Sequence, residues 1–164
     1  MMLPVRIGSG YDVHALEDGL SFKLGGIPIE HTKGAAGYSD ADVLLHAICD
    51  ALLGAIGLPD IGQQFPDHNP EYKNIDSRIL LQRTAKLVEE QAWEVGNLDC
   101  IIVLQRPKIA SYIPLMKAEI SRILQISEAA VSIKATTTEK LGFEGREEGV
   151  AAWAVVLVHK KSDI

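Results

Sequence analysis

The sequence predicts an α/β sandwich (an α+β sandwich in its layering): a mixed β-sheet with helices on one face and a second face that packs against another subunit. Strand-type and helix-type segments follow each other in the order strands, helix, helix, strand, helix, strand, strand. The last segment, 149–160, is apolar on both faces, so its second face needs cover. With 164 residues, 47% hydrophobic content and no linker, we expect a single domain over 1–164.

The predicted elements are, in order, a strand over 4–16, a hairpin over 21–31, a helix over 39–57, a loop over 60–74, a helix over 76–93, a strand over 94–107, a helix over 111–126, a strand over 131–137, a loop over 138–148 and a strand over 149–160. Glycines in the first strand indicate a bend or a close backbone approach. Gly25 and Gly26 centre the hairpin.

Local signals set the limits of the helices. In the first helix, Ser39 or Asp40 is the expected N-cap, and Gly57 marks the end. The second helix is amphipathic with one polar face. Pro107 closes the strand that follows, and Pro114 lies in the first turns of the third helix, where proline is tolerated.

Charge and cysteine content narrow the function classes. The net charge of −6 argues against a general nucleic-acid binder and against binding to anionic membranes. Cys49 and Cys100 lie far apart in apolar stretches and are predicted to be core residues. Residues 1–10 lack a signal-peptide pattern, and the apolar run 150–158 is shorter than the roughly 20 residues that span a bilayer. We therefore expect a cytoplasmic protein.

Asp12 and His14 are the first candidate functional residues. Residues i and i+2 of a strand share a face about 6.6 Å apart along it, so this carboxylate and imidazole can converge on one point. Both are ligand types that Zn²⁺ prefers. His46, in the apolar first helix, needs a polar partner and offers a third ligand. Three protein ligands with an open fourth position are typical of catalytic zinc.

Two simpler interpretations stay open at this point. Asp12 and His14 could form a surface salt link. Asp42, His46 and Asp50 follow i, i+4 spacing and could line a solvated helix face.

Two further stretches carry polar groups suited to phosphate. In 136–148, three threonine hydroxyls are followed by Glu139 and by a glycine-punctuated loop with Arg146. Hydroxyls and loop amides suit phosphate oxygens, and a glutamate suits Mg²⁺; an ordinary strand end and turn is the alternative. Asp60 and Asp67 lie among turn residues, and alone they indicate only a loop.

Four segments occur in this order: "GSGYDVHAL", "SDADVLLHAICDALLGAIGLPDIGQQFPD", "LQRPKI" and "KATTTEKLGFEGREEGV". Together they resemble the family of 2-C-methyl-D-erythritol 2,4-cyclodiphosphate synthases, over essentially the whole chain. The resemblance implies a phosphorus–oxygen lyase of the non-mevalonate isoprenoid (terpenoid) pathway. Such an enzyme cyclises 4-diphosphocytidyl-2-C-methyl-D-erythritol 2-phosphate and releases CMP. It also implies a homotrimer with helices outside, sheets around a central axis and active sites between subunits.

The resemblance further implies cofactors and site residues. Zn²⁺ would be held by Asp12, His14 and His46, and a second divalent ion, Mg²⁺ or Mn²⁺, would contact Glu139. Tyr38 and Thr137 would act in catalysis. The implied substrate-binding residues are Ser39, Asp60, Ile61, Gly62, Phe65, Asp67, Leu104, Arg106, Pro107, Lys108, Ala110, Thr136, Thr138, Phe143 and Arg146. The last two match positions near the trimer axis, where family members hold an isoprenoid diphosphate.

The implied chemistry needs no protein nucleophile, because the substrate's own 2-phosphate attacks the β-phosphorus of the diphosphate. Catalysis would come from alignment of the two phosphates and from metal charge. The metal ions, Lys108, Arg146 and backbone amides would supply the local positive field that a chain of charge −6 needs.

The chain departs from the family pattern at two positions. Tyr38 stands where the family usually has a histidine; it keeps a hydrogen-bond donor but cannot become cationic near neutral pH. We expect Tyr38 to donate its hydroxyl to the 2-phosphate. Glu147 stands where small residues are common and adds negative charge beside Arg146.

Two other functions remain to be tested against the cyclase. One is a zinc-dependent phosphohydrolase with water in the open position. The other is a non-catalytic trimeric binder of isoprenoid diphosphate.

Overall fold

A five-stranded mixed sheet forms the body of the chain. The structure, a computed structural model, describes residues 4–161. The strands are β1 (Val5–Asp18), β2 (Lys23–Leu24), β3 (Ile27–Pro28), β4 (Lys33–Ala35), β5 (Trp93–Val103), β6 (Val131–Thr136) and β7 (Gly149–Lys160). The α-helices are α1 (Val43–Ile56), α2 (Ile61–Gln64), α3 (Ser77–Glu90), α4 (Ile113–Leu124) and α5 (Gly142–Gly145).

The strand order in the sheet is β4-β1-β7-β5-β6. β5 and β6 are parallel, with α4 in the connection between them, and the other pairs are antiparallel. The long helices α1, α3 and α4 pack on one face. The predicted mixed sheet with helices on one face is therefore confirmed. β2 and β3 form the separate hairpin, with its turn at Gly25 and Gly26 as predicted.

The close approach predicted for the first strand is the contact between β1 and α1. A Cβ atom on Gly8 would lie 1.8 Å from the Ala51 carbonyl oxygen, and one on Gly10 would lie 2.0 Å from that of Ala47. These glycines let the helix backbone lie directly on the strand. Twelve residues of α1 are buried as a result, and both cysteines lie in the core as predicted.

The opposite face of the sheet is apolar and exposed. Ile7 on β1 is 70% exposed and Trp153 on β7 is 53% exposed. The Trp153 ring lies 4.7 Å from that of Tyr11, centroid to centroid, and Val13 and Val155 are also exposed. This confirms the prediction that one face of the sheet lacks cover within the chain.

The structure corrects several predicted boundaries. The N-cap of α1 is Asp42, and neither Ser39 nor Asp40, because the Asp42 carboxylate accepts from the Leu45 N–H. Trp93 starts β5 instead of ending α3. β5 ends at Val103, before the predicted limit at Pro107.

Short elements fill segments that were predicted to be loops. The loop over 60–74 contains α2, capped by Asp60, and a 3₁₀ turn over Pro70–Tyr72. The loop over 138–148 contains α5, and β4 was not predicted. Within residues 4–161, no helix has the length and apolar character needed to cross a membrane.

Candidate metal centre

The side chains of Asp12, His14 and His46 meet at one point between β1 and α1. His14 Nε2 lies 2.9 Å from Asp12 Oδ2, and His46 Nδ1 lies 3.0 Å from the same oxygen. The two imidazole nitrogens are 3.1 Å apart. Among the described residues, these three form the one group of His, Cys, Asp and Glu side chains with metal-ligand spacing. The predicted convergence is thus present, because the Asp12 carboxylate contacts the imidazoles of both His14 and His46.

The geometry of this triangle fits zinc. A tetrahedral ion with bonds of ~2.0–2.2 Å has ligand–ligand separations of roughly 3.3 Å, which is close to the three observed edges. His14 Nδ1 lies 3.0 Å from the Ala36 carbonyl oxygen, so the neutral imidazole carries its proton there and offers Nε2 as the metal-binding nitrogen. His46 Nε2 contacts serine hydroxyls, which lets its Nδ1 face the other two ligands.

The charge of Asp12 favours a cation at the cluster. Burial raises the pKa of Asp12, but the hydrogen bonds with His14 and His46 outweigh it and lower that pKa to about 2. For His14, burial lowers the pKa, yet the hydrogen bond with Asp12 outweighs burial and raises it above the ordinary value. Asp12 is therefore an anion at any physiological pH, and a metal ion competes with a proton for His14.

The stripe of Asp42, His46 and Asp50 is not a solvated helix face. Asp42 is fully buried and accepts hydrogen bonds from the N–H groups of Gly25 at 3.0 Å and Gly26 at 2.7 Å, as well as from α1. Burial raises its pKa despite these bonds. Asp50 accepts from the Ile61 N–H at 2.8 Å. The two carboxylates thus fix the hairpin and α2 against α1.

Tyr38 and Ser39 lie on the rim of the cluster. Tyr38 is exposed and donates its hydroxyl to the Asn69 carbonyl oxygen at 3.2 Å. The Ser39 hydroxyl lies 3.1 Å from His46 Nε2. A role for Tyr38 at a substrate phosphate would require its hydroxyl to leave Asn69.

The turn that carries Asp60 to Asp67 follows α1 directly. Asp60 caps α2, and its hydrogen bonds with the Gln63 side chain and backbone lower the pKa of its carboxyl group. The Phe65 ring packs edge-on against Tyr72 with centroids 5.6 Å apart. Ile61 and Phe65 are partly buried, and Gly62 and Asp67 are exposed.

The remaining predicted residues lie elsewhere on the sheet. Leu104 is buried, and its N–H donates to the Thr136 carbonyl oxygen at 3.0 Å, which joins the ends of β5 and β6. The other residues of this second group are Arg106, Pro107, Lys108, Ala110, Thr137, Thr138 and Glu139, and most of them are exposed. The Thr137 hydroxyl accepts from the Glu139 N–H at 3.3 Å.

The two groups do not meet within one chain. His14 on β1 and Thr136 on β6 lie near the same end of the sheet, with β7 and β5 between them. Three strand spacings of about 4.8 Å separate them by roughly 14 Å. The metal centre and the predicted nucleotide residues therefore form separate surfaces.

Two of the predicted binding residues, Arg106 and Arg146, form ion pairs with glutamates. Arg106 forms a two-point ion pair with Glu147, and Arg146 pairs with Glu148 at 3.0 Å. Phe143 is partly buried and lies against Gly149. Glu147 has the left-handed φ of 59° that glycine favours. The sequence indicated its charge but not its pairing with Arg106.

A groove of about 710 Å³ lies on another part of the molecule, between α3 and α4. Its walls include Gln82, Lys86, Trp93 and Leu124. None of the predicted site residues lines it, so the metal centre is not inside this groove.

Sequence reasoning missed Ser77 and Asp40, which lie behind His46. Ser77 Oγ is 2.9 Å from His46 Nε2 and donates to Asp40 Oδ1. A signal was present: Ser77 lies on the apolar stripe of α3 with Leu80, Leu81 and Val88, and a polar group there needs a partner.

Comparison with known proteins gives concordant results. A family model, that of the YgbB family, matches residues 5–159. A 2-C-methyl-D-erythritol 2,4-cyclodiphosphate synthase from Parabacteroides distasonis is 55% identical over 158 residues, 96% of this chain and 98% of that protein. The bifunctional IspDF from Campylobacter jejuni superposes with a TM-score of 0.93 at 38% identity, covering 97% of this chain and 43% of that one. IspF from Plasmodium falciparum in its CDP complex has a TM-score of 0.85 at 32% identity, covering 99% and 100%.

Proposed function

The chain belongs to the YgbB family, and from that membership we propose that it cyclises 4-diphosphocytidyl-2-C-methyl-D-erythritol 2-phosphate to the 2,4-cyclodiphosphate with release of CMP. This is a phosphorus–oxygen lyase reaction of the non-mevalonate isoprenoid pathway. The observation that carries the proposal is the cluster of Asp12, His14 and His46, whose three ligand atoms converge with one side open.

The reaction forms one P–O bond and breaks another. An oxygen of the 2-phosphate attacks the β-phosphorus, and the bond from that phosphorus to the bridging oxygen of CMP breaks. Zn²⁺ bound at the cluster and a second divalent ion, Mg²⁺ or Mn²⁺, would supply positive charge for the phosphate oxygens. The chain's own task is alignment of the two phosphates.

The described residues suit this task. Asp12, His14 Nε2 and His46 Nδ1 would hold the zinc ion. Thr136 to Thr138, at the end of β6, are exposed or partly exposed, and Lys108, after β5, is exposed. In this proposal their hydroxyl and ammonium groups bind the cytidine phosphates. The Glu139 carboxylate would be a ligand of the second ion.

Assembly completes the site in this proposal. The exposed apolar face with Ile7, Tyr11 and Trp153 packs around the axis of a homotrimer. The separation of roughly 14 Å between His14 and Thr136 supports active sites shared between subunits. The Asp60–Asp67 turn then holds the ribose and methylerythritol parts opposite the partner's cytidine pocket. Sedimentation of the purified protein at three times the chain mass of 17.8 kDa tests this arrangement.

One assay tests the reaction. The purified chain is supplied with the CDP-substrate and Mg²⁺, and phosphorus NMR follows CMP and the second product. Cyclic diphosphate supports the proposal. Linear phosphates would instead indicate a zinc-dependent phosphohydrolase, and no turnover would indicate a non-catalytic trimeric binder.

A metal analysis tests the ligand set. We expect His46→Ala to lose zinc, whereas His68→Ala, a control at an exposed histidine outside the cluster, keeps it. Full zinc occupancy in His46→Ala would exclude this ligand set. Binding of an isoprenoid diphosphate near Phe143 and Arg146, and a cytoplasmic location, stay predictions.

A further inference from the structure

The far side of the His46 ring is held by a chain of buried polar groups. Nε2 lies 2.9 Å from the hydroxyl of Ser77, and that hydroxyl contacts Asp40 Oδ1. Ser77 is fully buried, and 13% of the Asp40 side chain is exposed. The three groups thus form a continuous line from the metal centre to the start of α3.

The Ser77 hydroxyl donates its single proton to Asp40 Oδ1. Towards His46 the Ser77 oxygen is therefore an acceptor, and it favours the tautomer with the imidazole proton on Nε2. Without a metal ion, Asp12 favours the other tautomer, because its carboxylate lies 3.0 Å from Nδ1 and can accept a proton from it. A metal ion needs Nδ1 without its proton, which is the tautomer that Ser77 favours.

Asp40 is itself anchored by three further contacts. Its carboxylate accepts from the Ser77 N–H at 3.2 Å and from Lys23 Nζ at 3.3 Å, and its own N–H donates to the Ile75 carbonyl oxygen at 3.1 Å. The anchors come from the hairpin and from the start of α3, so they do not depend on the strand that carries the other two ligands.

We propose that Ser77 and Asp40 are positioning residues that hold His46 in the tautomer and orientation needed for metal binding. His14 receives the equivalent support from the Ala36 carbonyl oxygen, so both histidines have an anchored second nitrogen. Ser39 also reaches Nε2, at 3.1 Å, but its oxygen accepts from the Ala41 N–H and has no carboxylate behind it among the described contacts. Ser77 is therefore the main support. This inference rests on the metal centre of the proposed function.

Zinc affinity of the full-length protein, measured by competition with a chromophoric chelator, is the first test. Loss of a group that supports a metal-binding histidine costs about 10–100-fold in affinity, and we expect this loss for Ser77→Ala. Asp40→Asn should lose less, because the amide oxygen still accepts. Ser121→Ala is the matched control: that serine is also buried and donates to a helix carbonyl oxygen at 2.9 Å, away from His46. It should bind zinc like the wild type.

The tautomer of His46 is the second readout, and it does not depend on zinc. Side-chain ¹⁵N NMR of the metal-free protein, at a pH where imidazoles are neutral, should show the same share of the Nε2-protonated tautomer in the wild type and in Ser121→Ala. That share should fall in Ser77→Ala, because Asp12 then holds the proton on Nδ1. If Ser77→Ala kept the wild-type share of tautomers and the wild-type zinc affinity, the positioning role of Ser77 and Asp40 would be wrong. If the wild type bound no zinc but the tautomer still depended on Ser77, the positioning role would stand and the proposed metal centre would fall.

Discussion

Gly10→Ala is expected to separate α1 from β1 and so to damage the metal centre without touching a ligand. The new Cβ would lie 2.0 Å from the Ala47 carbonyl oxygen and 2.8 Å from the Ala51 nitrogen. Both neighbours are backbone atoms of α1, so no side chain can rotate away. The helix as a whole must move.

The size of the movement follows from the same distances. Ordinary contact for a Cβ atom begins at 3.4 Å, so strand and helix must part by about 1.4 Å. Overpacking of this kind costs up to about 3 kcal/mol of unfolding free energy, or roughly 6–12 °C in Tm for a chain of this length. His46 moves with α1 while Asp12 and His14 stay on β1. Metal sites tolerate only ~0.2 Å in ligand distances, so zinc affinity falls as well.

Gly54→Ala is the matched control on the same helix. A Cβ atom there meets nothing within 4 Å, and Gly54 is exposed. Alanine is about 0.5–1 kcal/mol better than glycine inside a helix, so this variant should be more stable than the wild type. Urea unfolding and chelator competition on both variants measure the two effects. Equal stability and equal zinc affinity for the two variants would refute the conclusion that close contact between β1 and α1 positions His46.

Further predictions concern Asp42, the two cysteines and Glu147. Asp42→Ala leaves three buried N–H groups without an acceptor and should lower the unfolding free energy by about 3 kcal/mol; a loss below about 1 kcal/mol in urea unfolding would contradict this. Burial raises the pKa of Cys49 and of Cys100 to about 12, so neither thiol should react with a disulfide reagent at pH 8 until the chain unfolds. Because these folded pKa values exceed the ordinary 9.0, stability should also fall as the pH rises above 9.0. Glu147→Gly should be about 1 kcal/mol more stable than Glu147→Ala. Both variants lose the ion pair with Arg106, but only glycine adopts a φ of 59° without strain. Equal stabilities in urea unfolding would argue against the left-handed backbone at this position.

The convergence of the candidate metal ligands could be predicted because the strand and the helix that carry them each show a regular spacing of side chains in the sequence. Asp12 and His14 share a strand face, and within α1 only His46 and Asp50 interrupt the apolar and glycine residues. The support from Ser77 could not be predicted in the same way. It depends on how the start of α3 docks beside α1, and no local pattern contains that docking.

The N-cap of α1 shows the limit of local signals more directly. Ser39, Asp40 and Asp42 are all good capping residues, and the sequence offers little to separate them. The choice is made by the hairpin, whose Gly25 and Gly26 N–H groups bind the Asp42 carboxylate. A distant segment thus decides where the helix begins.

The two faces of β1 have different tasks, and this limits which changes in chain length the protein can accept. Asp12 and His14 point to the candidate metal centre. Tyr11, which precedes Asp12, and Val13, which lies between the two ligands, belong to the exposed apolar face. Inserting or deleting one residue between Gly8 and Asp12 would turn every later side chain of the strand to the opposite face. Ligands would then point outward and apolar side chains inward. A length change at the exposed Gly19, beyond β1, would leave that alternation intact, so natural variation in length should collect there and avoid the strand.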